Sequence, residues 1–199
     1  LEAIAIGRDA LEQLGVKLPT ETDETKIGKA LQNLASQLQG RRIEELVDLP
    51  MMTDATTQAA IQLLGTLFPP VFLGMPGLLP VLSSRMVSLS IEFGNAPAST
   101  VGYAIHGMVL CAFLGDVETG YSFGKLAMNV LNRFNVRELN ATIPAFFGSF
   151  IQHHQEPIRA TIPTLKGSYT AAIETGNFLQ SGYSILNYLE SNLFGGVEL

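Results

Sequence analysis

Charge and cysteine are scarce in this chain. Of its 199 residues only 12 are Lys or Arg and 18 are Asp or Glu, for a formal net charge of −6. No basic cluster exceeds the pair Arg41-Arg42. A nucleic-acid backbone needs a cationic stripe, so no extended nucleic-acid surface is expected. The one cysteine, Cys111, has no second thiol with which to close an internal disulfide. Between Leu110 and Ala112 it reads as a small buried hydrophobe of a reducing, cytoplasmic compartment. The chain does not open on Met, and its start carries no signal-peptide pattern.

Catalytic signatures are as sparse as charge. A P-loop requires Gly, four residues and then Gly-Lys-Ser/Thr, because backbone amides and the Lys cradle phosphate together. Gly124-Lys125 is followed by Leu126, and Thr119 stands where the first glycine belongs. Neither a kinase catalytic loop, an Asp-Phe-Gly segment nor a GxSxG elbow occurs. His153-His154 with Glu156 is the nearest approach to a metal cluster. Adjacent histidines on a helix diverge by about 100°, and no HExxH or His/Cys set completes a site. Histidines at a helix C-terminus serve instead to meet unpaired carbonyls. The expectation is no enzyme activity, no cofactor and no metal in this chain.

Two long stretches carry no Asp, Glu, Lys or Arg, one between Asp54 and Arg85 and one from Phe93 to Gly115. A membrane helix needs about 20 continuous helical residues. Pro69, Pro70, Pro76 and Pro80, with Gly65, Gly74 and Gly77, interrupt the first run, and a break in lipid strands backbone groups. The second contains Pro97 and His106. No membrane span is expected, and helices packed on two sides explain the composition.

What is present in abundance is helical periodicity. Val101, Ala104, Ile105, Met108, Val109 and Ala112 recur at three- and four-residue steps. Phe123, Leu126, Ala127, Val130, Leu131 and Phe134 repeat the pattern. Between them Gly115 supplies a left-handed C-cap and Asp116 the next N-cap. The pair predicts a helical hairpin over 98–134. A second unit follows, with a helix from Glu138 to His153, a turn at His154-Gln155-Glu156-Pro157, and a helix carrying Ile158, Ile162, Leu165, Tyr169 and Ala172. Residues 178–194 restart the pattern through Leu179, Tyr183, Leu186, Leu189 and Leu193. The turns near 114, 154 and 194 are spaced by roughly 40 residues, a solenoid period.

The expected architecture is therefore all-α, a tetratricopeptide-like superhelix of stacked antiparallel helix pairs forming a single domain over 1–199. Residues 1–15 read as the end of a preceding repeat, 16–97 as an irregular helical section and 98–199 as regular pairs. In the irregular section Ile27 to Leu38 marks a helix stopped by Gly40, with a weak capping signal from Thr20 to Asp23. Arg42 to Val47 makes a turn or two before Asp48-Leu49-Pro50, and Asp54 to Phe68 a helix ended by Pro69-Pro70. Ile6-Gly7-Arg8 resembles Phe123-Gly124-Lys125, and Gly195-Gly196-Val197-Glu198 matches the turn at 115–118. Both ends thus fall inside repeats, which implies a piece of a longer protein and self-association through uncovered apolar faces.

Several segments together resemble a known family. They are Ile6-Gly7-Arg8-Asp9-Ala10-Leu11 with Leu14-Gly15-Val16, then Asp48-Leu49-Pro50-Met51-Met52-Thr53-Asp54, and Leu114-Gly115-Asp116 with Gly120-Tyr121 and Phe123-Gly124. Ala172 to Gly176, after Leu165-Lys166, belongs with them. The chain resembles the helical region of large multi-sensor signal transduction kinases, common in cyanobacteria. There a Ser/Thr kinase domain is followed by an AAA-type ATPase, this helical region, a GAF sensor and often a histidine kinase. The region is similar to tetratricopeptide repeats without their strict 34-residue consensus. None of that family's catalytic motifs lies in this chain.

The resemblance implies a non-catalytic scaffold that links an ATPase module to sensor modules and binds protein. The alternative is a sensing domain that takes a small molecule in an apolar groove. If first helices line the concave side of the stack, Tyr103, His106, Phe146, Phe150 and Tyr183 are the candidate partner surface. Tyr103 and Tyr183 are expected to be exposed, whereas Phe146 and Phe150 are somewhat better suited to packing between repeats.

Overall fold

The computed structural model describes residues 1–196, whose regular secondary structure is all helix, apart from one isolated backbone bridge between Met51 and Asn95. It divides into two compact units, Leu1–His106 and Gly107–Leu199. The boundary falls inside a helix, nine residues beyond the expected end of the irregular section.

The first unit contains α1 (Glu2–Gln13), α2 (Glu24–Leu38), α3 (Ala55–Thr66), α4 (Phe68–Gly74), α5 (Leu79–Phe93) and the start of α6 (Ser99–Met108). Its centre is α5, which packs against α2, α3 and α4. Leu79, Leu82, Met86, Val87 and Leu89 are buried on it, and so are Ser83, Ser84, Ser88 and Ser90. A helix enclosed on nearly every side has no amphipathic stripe to read. Periodicity therefore gave no helix here, and Pro80 reads as a breaker. In the structure Pro80 sits in the first turn, where its missing N–H costs nothing. Pro69 and Pro70 act the same way. They do not merely end α3 but form the first turn of α4.

Other local expectations hold at the residue level. Gly40 adopts φ +81° just beyond α2, and a short 3-10 turn covers Ile43–Asp48. The cap of α2 is a correction: Asp23 itself, not Thr20, accepts the Lys26 amide at 2.8 Å.

The second unit runs through a π-type segment (Val109–Leu114), α7 (Val117–Phe134), α8 (Thr142–Phe150), α9 (Thr161–Glu174) and α10 (Phe178–Gly195). Consecutive helices pack on one another, α7 on α8, α8 on α9 and α9 on α10. Gly115 has φ +72°, and Asp116 accepts the Thr119 amide at 3.2 Å, so the 114–117 turn is built as the residues dictate. Phe123, Leu126, Ala127, Val130 and Leu131 are buried along α7. Bare glycines let this hairpin close tightly. A Cβ on Gly120 would lie 2.5 Å from Cys111 Sγ, and one on Gly107 would lie 2.7 Å from the Gly120 carbonyl.

The single helix expected over 138–153 is broken into a 3-10 turn (Arg137–Leu139), α8 and a second 3-10 turn (Gln152–His154). Pro144 explains the late start, since its ring clashes with the carbonyl four residues earlier unless it lies in a first turn. Pro163 delays α9 to Thr161 in the same way. Ala112, expected in the core stripe, is exposed. Of the turn expected at 195–198, Val197 and Glu198 lie outside the described residues.

Candidate interaction surface

The five residues expected to share a groove do not share a surface. Tyr103 and His106 are buried in the first unit, at 0% and 3% exposure. Phe146 and Phe150 are half-buried on α8, their rings tilted with centroids 5.0 Å apart. Tyr183 alone is open to solvent. A shift of 40 residues relates Tyr103, Ile143 and Tyr183, yet the first two are buried and the third is not. The spacing of turns is not a spacing of environments.

Tyr103 has a structural partner. Its hydroxyl donates to Asn95 Oδ1 at 2.7 Å. Asn95 in turn donates from Nδ2 to the Leu46 carbonyl and from its backbone N–H to the Pro50 carbonyl, both at 2.7 Å, and accepts the Met52 amide at 2.8 Å. This buried asparagine thereby holds the Leu49-Pro50-Met51-Met52 segment against the start of α6. Gly94 beside it has φ +98°, and a Cβ there would meet the Pro50 carbonyl oxygen at 2.3 Å. Asp54, the last residue of the family-like segment, caps α3 through the Thr57 amide and hydroxyl at 2.7 and 2.6 Å, which hold its carboxyl below its ordinary value. The segment that carries the resemblance is thus a folding feature.

His106 Nδ1 lies 3.1 Å from Ser83 Oγ, both enclosed. Burial pushes the imidazole down to about 4, so it is neutral at pH 7. A Ser–His pair sealed on all sides offers a substrate no approach.

In the second unit the Tyr121 hydroxyl donates to Glu156, and Gln152 Nε2 donates to the same carboxylate at 2.8 Å. The bonds from Gln152 and Tyr121 lower the Glu156 carboxyl, while burial and the Glu156 bond raise the Tyr121 phenol to about 12. The set ties α7 to the turn before α9. His153 and His154 stack with ring centroids 4.4 Å apart. Burial, then the proximity of His154, lowers His153, opposed by a hydrogen bond with the Gly148 backbone. Among the described residues no three of His, Cys, Asp and Glu come together as a metal site, and no helix is long and apolar enough to cross a membrane.

The feature that periodicity did not orient is α10. Its stripe is Leu179, Tyr183, Leu186, Leu189 and Leu193, of which Tyr183 was expected to be exposed. It faces solvent, with Phe178 and Phe194 at its ends, at exposures of 43 to 74%. The buried side carries Ser181, Ser184, Ser191 and Asn192. Small side chains let α9 and α10 approach closely, and their hydroxyls find partners: Ser168 donates to the Ala141 carbonyl, Ser184 Oγ lies 2.9 Å from Ser168 Oγ, and Ser191 Oγ 2.9 Å from Thr161 Oγ1. The helix is amphipathic with its apolar face outward. Beside it a cleft of about 120 Å³ is lined by residues that include Ser149, His153, Asn187 and Phe194, well short of the roughly 300 Å³ at which small-molecule pockets begin.

No protein-family model matches the chain, and no solved structure matches it. The chain is similar to the hybrid signal transduction histidine kinase G of Dictyostelium discoideum, 24% identical over 135 residues. The match covers 67% of this chain and 4% of that protein. It is a distant likeness, compatible with a signalling region and confined to a small part of a much longer relative.

Proposed function

We propose that this chain is a non-catalytic, cytoplasmic helical scaffold of a large signalling kinase, a protein-binding region that links an ATPase module to sensor modules. The α7–α10 stack supplies stacked helix pairs of a tetratricopeptide-like superhelix, and the outward face of α10 is where the next protein element seats. The observation that carries the reading is that face: a run of large apolar side chains held outward by a serine-lined inner side. Contiguous apolar patches of this size on a folded domain mark interaction sites.

Three polar groups support the same reading by serving structure. Asn95 and Tyr103 fasten a loop, Asp54 and Asp116 cap helices, and Glu156 joins a turn to α7. The likeness to a signalling histidine kinase supplies the signalling context. A photo-crosslinking side chain in place of Leu186, in the longest natural polypeptide that contains this chain, tests the proposal. Crosslinks into protein, within the polypeptide or to another, are expected. Reaction with solvent alone overturns it.

A further inference from the structure

The outward face of α10 is patterned in a way that selects its occupant. Leu186 sits at its middle, with Leu179 and Leu193 seven residues to either side. Tyr183 and Glu190 lie along one flank, Gly182 and Leu189 along the other. Glu190 is the only charged residue of the helix.

Resting on the interaction reading above, we infer that this face pairs with the same face of a second copy of the chain, the two α10 helices antiparallel about a two-fold axis beside Leu186. Such an axis sets Leu186 against its own counterpart and Leu179 against the second copy's Leu193. It brings the Tyr183 hydroxyl to the second copy's Glu190 carboxylate, and lays Leu189 over the bare backbone at the second copy's Gly182. Each large apolar group meets an apolar group or a gap, and the one charge meets a donor. An isologous contact needs this self-complementarity. Parallel pairing fails it, because the two Glu190 carboxylates come to the same level of the apolar seam.

The apolar area on offer is of the order that a stable interface takes. With roughly 200 Å² of full surface for each large apolar residue, the exposed fractions of Phe178, Leu179, Tyr183, Leu186, Leu189, Leu193 and Phe194 amount to on the order of 900 Å² per copy. A standard stable interface takes about 800 Å² from each partner.

The test is the mass of the chain in solution, by light scattering across the micromolar range, together with site-directed disulfides in a Cys111→Ser background. A dimer is expected that Leu186→Glu converts to monomer with helicity retained. Leu186→Cys should crosslink to itself under mild oxidation. Leu179→Cys and Leu193→Cys should crosslink with each other in a mixture, and far less with themselves. A monomeric parent chain, or a dimer whose mass ignores Leu186→Glu and whose Leu186→Cys form stays reduced, overturns the inference. If position 186 then still crosslinks to another protein segment in the longer polypeptide, the scaffold reading stands and only the second copy is lost.

Discussion

Ser184 Oγ lies 2.9 Å from Ser168 Oγ across the α9–α10 interface, while Leu186, two residues on, is about half exposed. The ordinary sign of substitution is therefore reversed on α10. Ser184→Leu inserts a large side chain into a closed contact and should cost about 1–3 kcal/mol. Leu186→Ser should change the stability of a single chain by no more than about 0.5 kcal/mol. Thermal midpoints of the two variants at low protein concentration check this. Equal losses would mean that the helix is rotated from the orientation described.

The Asn95 node gives a second expectation. Tyr103→Phe leaves Asn95 Oδ1 short of a donor in an enclosed site, and an unmet buried group costs about 1–3 kcal/mol. Asn95→Ala should cost more, because the Leu46 carbonyl and the Tyr103 hydroxyl both lose a partner. Urea midpoints at constant slope measure both. A Tyr103→Phe variant as stable as the parent would show that the hydroxyl bond contributes nothing.

His106 makes stability depend on pH in a defined window. Its folded value, about 4, lies below the unfolded 6.5, so the unfolded chain binds the proton more readily. Its contribution is complete above pH 6.5 and is lost as pH falls toward 4, on the order of 3 kcal/mol in all. His106→Gln, which cannot titrate, should flatten the stability profile between pH 6.5 and 4. An unchanged slope would place the drop on other groups, such as His153.

At the hairpin turn, Gly115→Val forces a β-branched residue to φ +72° and should cost at least about 1 kcal/mol, although no atom lies within 4 Å of the new Cβ. Asp116→Ala removes the cap on Thr119 and should cost roughly 1 kcal/mol. Calorimetric midpoints that do not move would contradict both backbone assignments.

These residues also show what a sequence can and cannot disclose. The Gly115-Asp116 turn and the α7 stripe were legible because a left-handed cap and a one-sided apolar stripe are local properties. Helix α5 was not, since burial on nearly every side erases periodicity, and Pro80 stops a helix or starts one depending on the turn it occupies. The direction α10 faces was legible only in part, through Tyr183, which was expected to be exposed. A helical stripe reports that two sides differ, and only the neighbour α9, with Ser168 and Thr161 at its surface, decides that the small side goes inward. Tyr103 and His106 were placed on a surface by a 40-residue shift that does not preserve environment.

The central claim is that the outward face of α10 is a contact surface. It is tested most directly by thiol labelling of two cysteine variants in the intact assembly that contains this chain. Leu186 and Leu73 are 53% and 82% exposed in the single chain, and the native Cys111 is buried. If α10 is covered, Leu186→Cys should label at least about tenfold more slowly than Leu73→Cys, and the two rates should converge when the assembly is dissociated. Rates that already agree in the intact assembly would contradict the account.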